Sequence, residues 1–181
     1  MRRSILTLSI VGLLVIGLVA PAVAAPKRAP APGPDSIATI AGAAGFSELV
    51  GALVYVDGEL GTDLVATFST GTDQYTVFAP TNAAFEDLYG FLGVDGITDL
   101  PAELVADVLL YHVAEGRRAA NSVVPPVRDR SITTLLGPSF SVSSNGTITD
   151  LAGQQIGIAG ADISASNGII HVVDTVLLPL S

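Results

Sequence analysis

The tightest constraint on how this chain folds is a change in the period of its apolar residues. Up to residue 113 they recur mainly at helical spacing. In "FSELVGALVYV" the residues Phe46, Leu49, Val50, Leu53 and Val54 share one helix face, and "DGELGTDLVATF" continues the pattern with Leu60, Leu64, Val65 and Phe68. Asp35 or Ser36 is placed to cap a short helix carrying Ile37, Ile40 and Ala41. One strand interrupts this half, "QYTVFAP", closed by Pro80; Thr81 then caps a helix through "NAAFEDLYG" that is expected to end at Gly90. Pro101 and Glu103 suit the first turn of a further helix with Leu104, Val105, Val108 and Leu109 on its apolar face.

From residue 131 the pattern shortens to strand-length runs, "SITTLLG", "SFSVSS", "TITDL", "QQIGIAG" and "GIIHVVDTVLLP", separated by Gly, Pro and Asn. Asn145-Gly146 between two of them is a strong hairpin signal. Helices first and a β meander second predict an α+β domain, with helices on one side or end of a mostly antiparallel sheet.

The N-terminus reads as a leader. Arg2 and Arg3 precede an apolar run from Ile5 to Val19, and Ala22 and Ala24 give a small-x-small cleavage pattern. Residues 1–25 are therefore expected to be a signal peptide, and the run is short for a retained membrane span. Residues 26–34 follow, with proline at 26, 30, 32 and 34, and read as an extended spacer. A single domain is expected over 35–181.

Charge narrows the partners. The chain has net charge −9, which becomes −11 once Arg2 and Arg3 leave with the leader. The domain from Asp35 holds four arginines, no lysine and all 17 acids, hence −13. Such a field repels phosphate backbones and excludes nucleic acid as a partner class. With no cysteine, neither disulfides nor thiolate chemistry is available.

Three stretches, "YTVFAPTNAAF" (75–85), "LLYHV" (109–113) and "NGIIHVVDTVLLP" (167–179), resemble in order and spacing the conserved segments of the fasciclin-like domain family. The resemblance covers the chain from about residue 35 onward. It implies a wedge-shaped β-sandwich with helices mostly from the first half. It also implies a secreted or cell-envelope, non-catalytic adhesion module that contacts extracellular protein or carbohydrate and needs no cofactor. Thr81, Asn82, Tyr111, His112 and His171 fall on the matching motifs and are expected to be structural, the tyrosine-histidine pair tying a helix end to neighbouring backbone. Tyr111 could instead point outward as a contact. The acidic-aliphatic signatures that flank the pair in integrin-binding relatives are not evident, so integrin binding is not carried over.

The residues themselves leave other readings open. His171 lies in a run apolar on both faces, where a neutral imidazole can serve two partners. A small-ligand or hydrolytic site near His112 and His171 is the rival, yet no G-x-S-x-G elbow occurs. Zinc ligation by His112, His171 and Asp174 lacks any close histidine pair. "TGTDQ", "GVDGITD" and "GIAGAD" read as turns, and Asn145-Gly146-Thr147, though a glycosylation pattern, reads as the hairpin turn. Arg117, Arg118, Arg128 and Arg130 hold every positive charge of the domain within 14 residues. They form a candidate partner-binding loop for an acidic glycan, or for another copy if the protein self-associates weakly as an envelope component.

Overall fold

The computed structural model describes residues 30–180. The expected signal peptide and the first part of the spacer lie outside the described residues. Helices α1 (Ile37–Ala43), α2 (Ser47–Leu60), α3 (Leu64–Thr70), α4 (Asn82–Leu92) and α5 (Ala102–Tyr111) come first, mostly from the first half, with strand β1 (Tyr75–Pro80) among them. A short β2 (Val113–Glu115) and a one-turn α6 (Ala120–Val123) follow. Then come β3 (Arg130–Thr133), β4 (Ser139–Val142), β5 (Ile148–Thr149), β6 (Gln155–Ile156), β7 (Ile158–Ala165) and β8 (Gly168–Val173).

The strands form two four-stranded sheets, ordered β2-β1-β8-β7 and β3-β4-β5-β6. Among the described residues, only the β1–β8 pair is parallel. The alternation of β1 explains why two sheets and a helical layer are needed. Val77 and Ala79 face the helices, among Leu49, Leu53, Phe85, Val105 and Leu109. Phe78 faces the second sheet, among Ile132, Phe140, Ile148 and Ile156. A strand apolar on both faces requires cover on both, and β8 does the same with Ile170 on the helix side and Val173 between the sheets. The α+β, two-sheet architecture with first-half helices is the expected one.

Several local expectations change. Helix α4 passes through Gly90 and stops at Leu92, because Gly93 takes the left-handed conformation (φ 71°) and donates its amide to Tyr89 O. The run "QQIGIAG" is two strands, β6 in one sheet and β7 in the other. The crossing is at Gly157, whose N–H donates to Asp174 Oδ1 at 2.9 Å and whose carbonyl accepts from Asp174 N. Of "GIAGAD", Ile158 to Asp162 are therefore strand, and a bulge between Gly160 and Ile163 accompanies the turn-like composition. The β4–β5 hairpin does close around Asn145-Gly146.

Residues 30–34, expected as part of the extended spacer, lie against β7 together with Asp35. Gly33 N–H donates to Ala165 O at 3.2 Å, and Ser166 N–H donates to Asp35 O at 2.7 Å. Prolines deny this segment a regular ladder, but the alternate residues keep their amides. Gly33 is there because a Cβ would lie 2.2 Å from Ser164 O.

Candidate functional site

The motif residues fall into two groups. Thr81 and Asn82 stand at the corner from β1 into α4. Thr81 Oγ1 accepts from Ala84 N–H at 3.2 Å as the helix cap. Asn82 reaches across to the start of α2, which lacks a side-chain cap of its own. Its Oδ1 accepts from Glu48 N–H at 3.2 Å and its Nδ2 donates to Ser47 Oγ at 2.8 Å. One corner thus caps two helices.

Tyr111, His112 and His171 are buried around Phe78. Tyr111 has no exposed surface, which corrects the outward reading of its ring. That ring meets Phe140 edge-on, as Phe140 meets Phe78. Burial, partly offset by the Leu151 backbone and reinforced by Asp150, pushes its hydroxyl up to about 12. Phe78 joins the two histidines: its N–H donates to His112 O at 2.8 Å and its ring lies 5.5 Å from that of His171.

Each histidine has both nitrogens engaged by backbone. His112 Nδ1 donates to Val108 O at 2.7 Å, an orphan carbonyl of the last turn of α5. Its Nε2 accepts from Leu177 N–H at 2.9 Å. His171 Nε2 donates to Arg118 O at 2.9 Å, and its Nδ1 accepts from Asp162 N–H at 3.4 Å. The second bond explains why a histidine stands in an apolar strand. The β7 bulge puts Asp162 at φ 62° and lifts its amide off the ladder, opposite His171; the imidazole supplies the acceptor. Burial pulls His112 down to about 4 and lowers His171, against the opposing pull of their carbonyl partners and of Asp150 and Asp162.

These residues enclose little space. The cavity beside His112 has a volume of about 30 Å³ and apolar walls, room for roughly one water. Among the described residues, no group of three His, Asp or Glu side chains is placed to hold a metal ion.

The four arginines differ in what they hold. Arg117 turns inward, and its guanidinium donates to the carbonyls of Pro30, Ala31, Ala165 and Gly168 and to Ser164 Oγ. Arg118 Nε donates to Glu115 O at 3.0 Å, and its amide donates to Thr76 Oγ1. Arg130 donates to Ser122 O. Arg128 is exposed, beside Val127, itself 80% exposed.

Sequence reasoning passed over three carriers of this framework. Asn167 is buried; its Oδ1 accepts from Ile37 N–H and its Nδ2 donates to Phe68 O, both at 2.9 Å. Asp150 accepts from Gln154 N–H and Leu178 N–H. Asp57 accepts from Thr62, Leu64 and Val65 at the start of α3; burial works against its charge, and those three donors still hold its pKa below the usual value. A polar residue inside an apolar motif was the available signal for Asn167.

Residues 44–179 match the family model for the fasciclin domain. The cell surface glycolipoprotein MPB83 of Mycobacterium bovis is 31% identical over 153 residues, 81% of this chain and 66% of that protein. The chain thus spans just under two thirds of that relative. The immunogenic protein MPB70 of the same species is 34% identical over 119 residues, 65% of this chain and 55% of its own length. The FAS1 domain pair of the insect cell adhesion molecule fasciclin I aligns with 73% of this chain and 43% of that one, at 18% identity and a TM-score of 0.47.

Proposed function

The chain belongs to the fasciclin domain family, and we propose on that footing that it is a secreted or envelope-associated binding module, working by surface contact with an extracellular protein or carbohydrate and without turnover. The observation that carries this reading is the engagement of both imidazoles. Each ring is buried, and each acceptor nitrogen already takes a backbone N–H. A general base needs a lone pair within reach of its substrate, and neither histidine has one to offer. The surface setting of MPB83, named for the cell surface, supports the location. Among the described residues no helix is long and apolar enough to cross a membrane.

On this reading Thr81, Asn82, Tyr111, His112 and His171 serve the fold, and recognition falls to the surface. The candidate loop narrows to its tip. Arg128 is an exposed cation on a domain of charge −13, beside the exposed Val127; arginine is enriched among the residues that dominate interface energies. The test is binding of the purified protein to a panel of cell-surface and matrix components. Saturable binding that falls about tenfold in a V127S/R128A variant supports the reading. No binding across the panel, or an enzymatic turnover lost when a histidine is replaced in a still-folded protein, overturns it.

A further inference from the structure

On the helix side, α2, α4, α5 and the C-terminal segment surround a hollow of about 70 Å³ whose walls are apolar throughout, with Phe85, Leu104 and Val108 among its lining. Leu88 and Leu178 line it and also line a second, open groove of about 410 Å³. The groove's polar members include Asp87 and Asp174, and among the described residues no Lys, Arg or His lines either concavity. Asp87 is exposed. Large apolar side chains stand in water along this stretch. Phe91, in the groove, is 83% exposed, whereas the other five phenylalanines are buried; Leu92 and Leu180, at the hollow, are also exposed. Exposed apolar groups clustered at concavities mark binding sites.

We propose that the two concavities form one site for a single-chain amphiphile with a cationic head. Charge complementarity selects the head: an ammonium group meets the carboxylates of Asp87 and Asp174, and no cation among the described lining residues offers to pair an anion. The alkyl chain runs over Phe91 and along Leu88 and Leu178 into the apolar hollow. This site is separate from the buried histidines and from the Arg128 loop.

The experiment titrates the protein with octyltrimethylammonium, octyl glucoside and octanoate, equal chains with different heads, each below its micelle-forming concentration, followed by methyl and amide NMR. The ammonium is expected to saturate, with shifts at the methyls of Leu88, Leu104 and Leu178 and at the amides of Asp87 and Thr175. D87N should weaken the ammonium by about threefold and leave the glucoside unchanged. F91S, a surface change that spares the core, should weaken both. Octanoate binding as tightly as the ammonium, shifts scattered over the molecule, or full affinity in F91S overturns the proposal.

Discussion

His112 and His171 carry their protons on opposite ring nitrogens. His112 gives Nδ1–H to the Val108 carbonyl and keeps Nε2 as acceptor, while His171 gives Nε2–H to the Arg118 carbonyl and keeps Nδ1 as acceptor. In each case the carbonyl and the amide on the two sides of the ring fix the tautomer. Protonation adds a donor where an amide already points, so it breaks the arrangement at both rings.

The pH dependence of stability follows from this. Both rings have pKa values lowered by burial, His112 to about 4 against an ordinary 6.5. The unfolded chain therefore binds more protons than the fold between those values. Stability should be unaffected by these groups above pH 6.5, fall as the pH drops from 6.5 toward 4, and lose about 3 kcal/mol to His112 when the fall is complete. Urea unfolding across that window measures it; a flat profile contradicts the assignment.

H112A leaves the Val108 carbonyl and the Leu177 amide without their buried partner. We expect a loss of about 2–4 kcal/mol, seen as a lower urea midpoint. H171A should cost less, since its Asp162 contact is long at 3.4 Å. The reverse order would show that the bulge depends on His171 more than this geometry implies.

N167A removes the acceptor of the Ile37 amide and the donor to the Phe68 carbonyl in one step. The expected cost is again about 2–4 kcal/mol. Hydrogen exchange should quicken first at the Ile37 amide, because the ends of α1 and α3 lose a common tie.

R117A should free residues 30–35 and expose them to limited proteolysis while the domain stays folded. R117K should not restore protection. An ammonium has three donors on a single nitrogen and cannot span acceptors contributed by the linker, β7 and β8. Rescue by lysine would mean that charge alone holds the segment.

T81A should cost about 1 kcal/mol through loss of the α4 cap, and T81S should keep most of it. Thermal unfolding of the two variants separates the hydroxyl from the methyl.

Much of this was legible in the sequence where one segment's chemistry decided its own structure. The periodic helices, the Thr81 cap, the Asn145-Gly146 turn and the two-sided burial of His171 are of that kind. What stayed hidden depends on chain remote in sequence. That β1 and β8 run side by side cannot be read from either strand. Nor can the rise of the Asp162 amide at a bulge, which only His171, nine residues on, makes tolerable. Arg117 read as part of a charged loop because nothing nearby shows that its five acceptors come from residues 30–31 and 164–168. Gly90 resembled a stop because glycine commonly ends helices; a helix nonetheless tolerates one at a modest cost, and Gly93 has the conformation that ends it.

The grip of Arg117 on the linker also decides how the molecule bears load. Tension on the chain ahead of Pro30 arrives first at a guanidinium anchored on β7 and β8, not at helix α1. The first thing to yield under a pull from that side is then a set of hydrogen bonds outside the core. Until they part, the Ile37 amide that Asn167 holds is shielded from the pull.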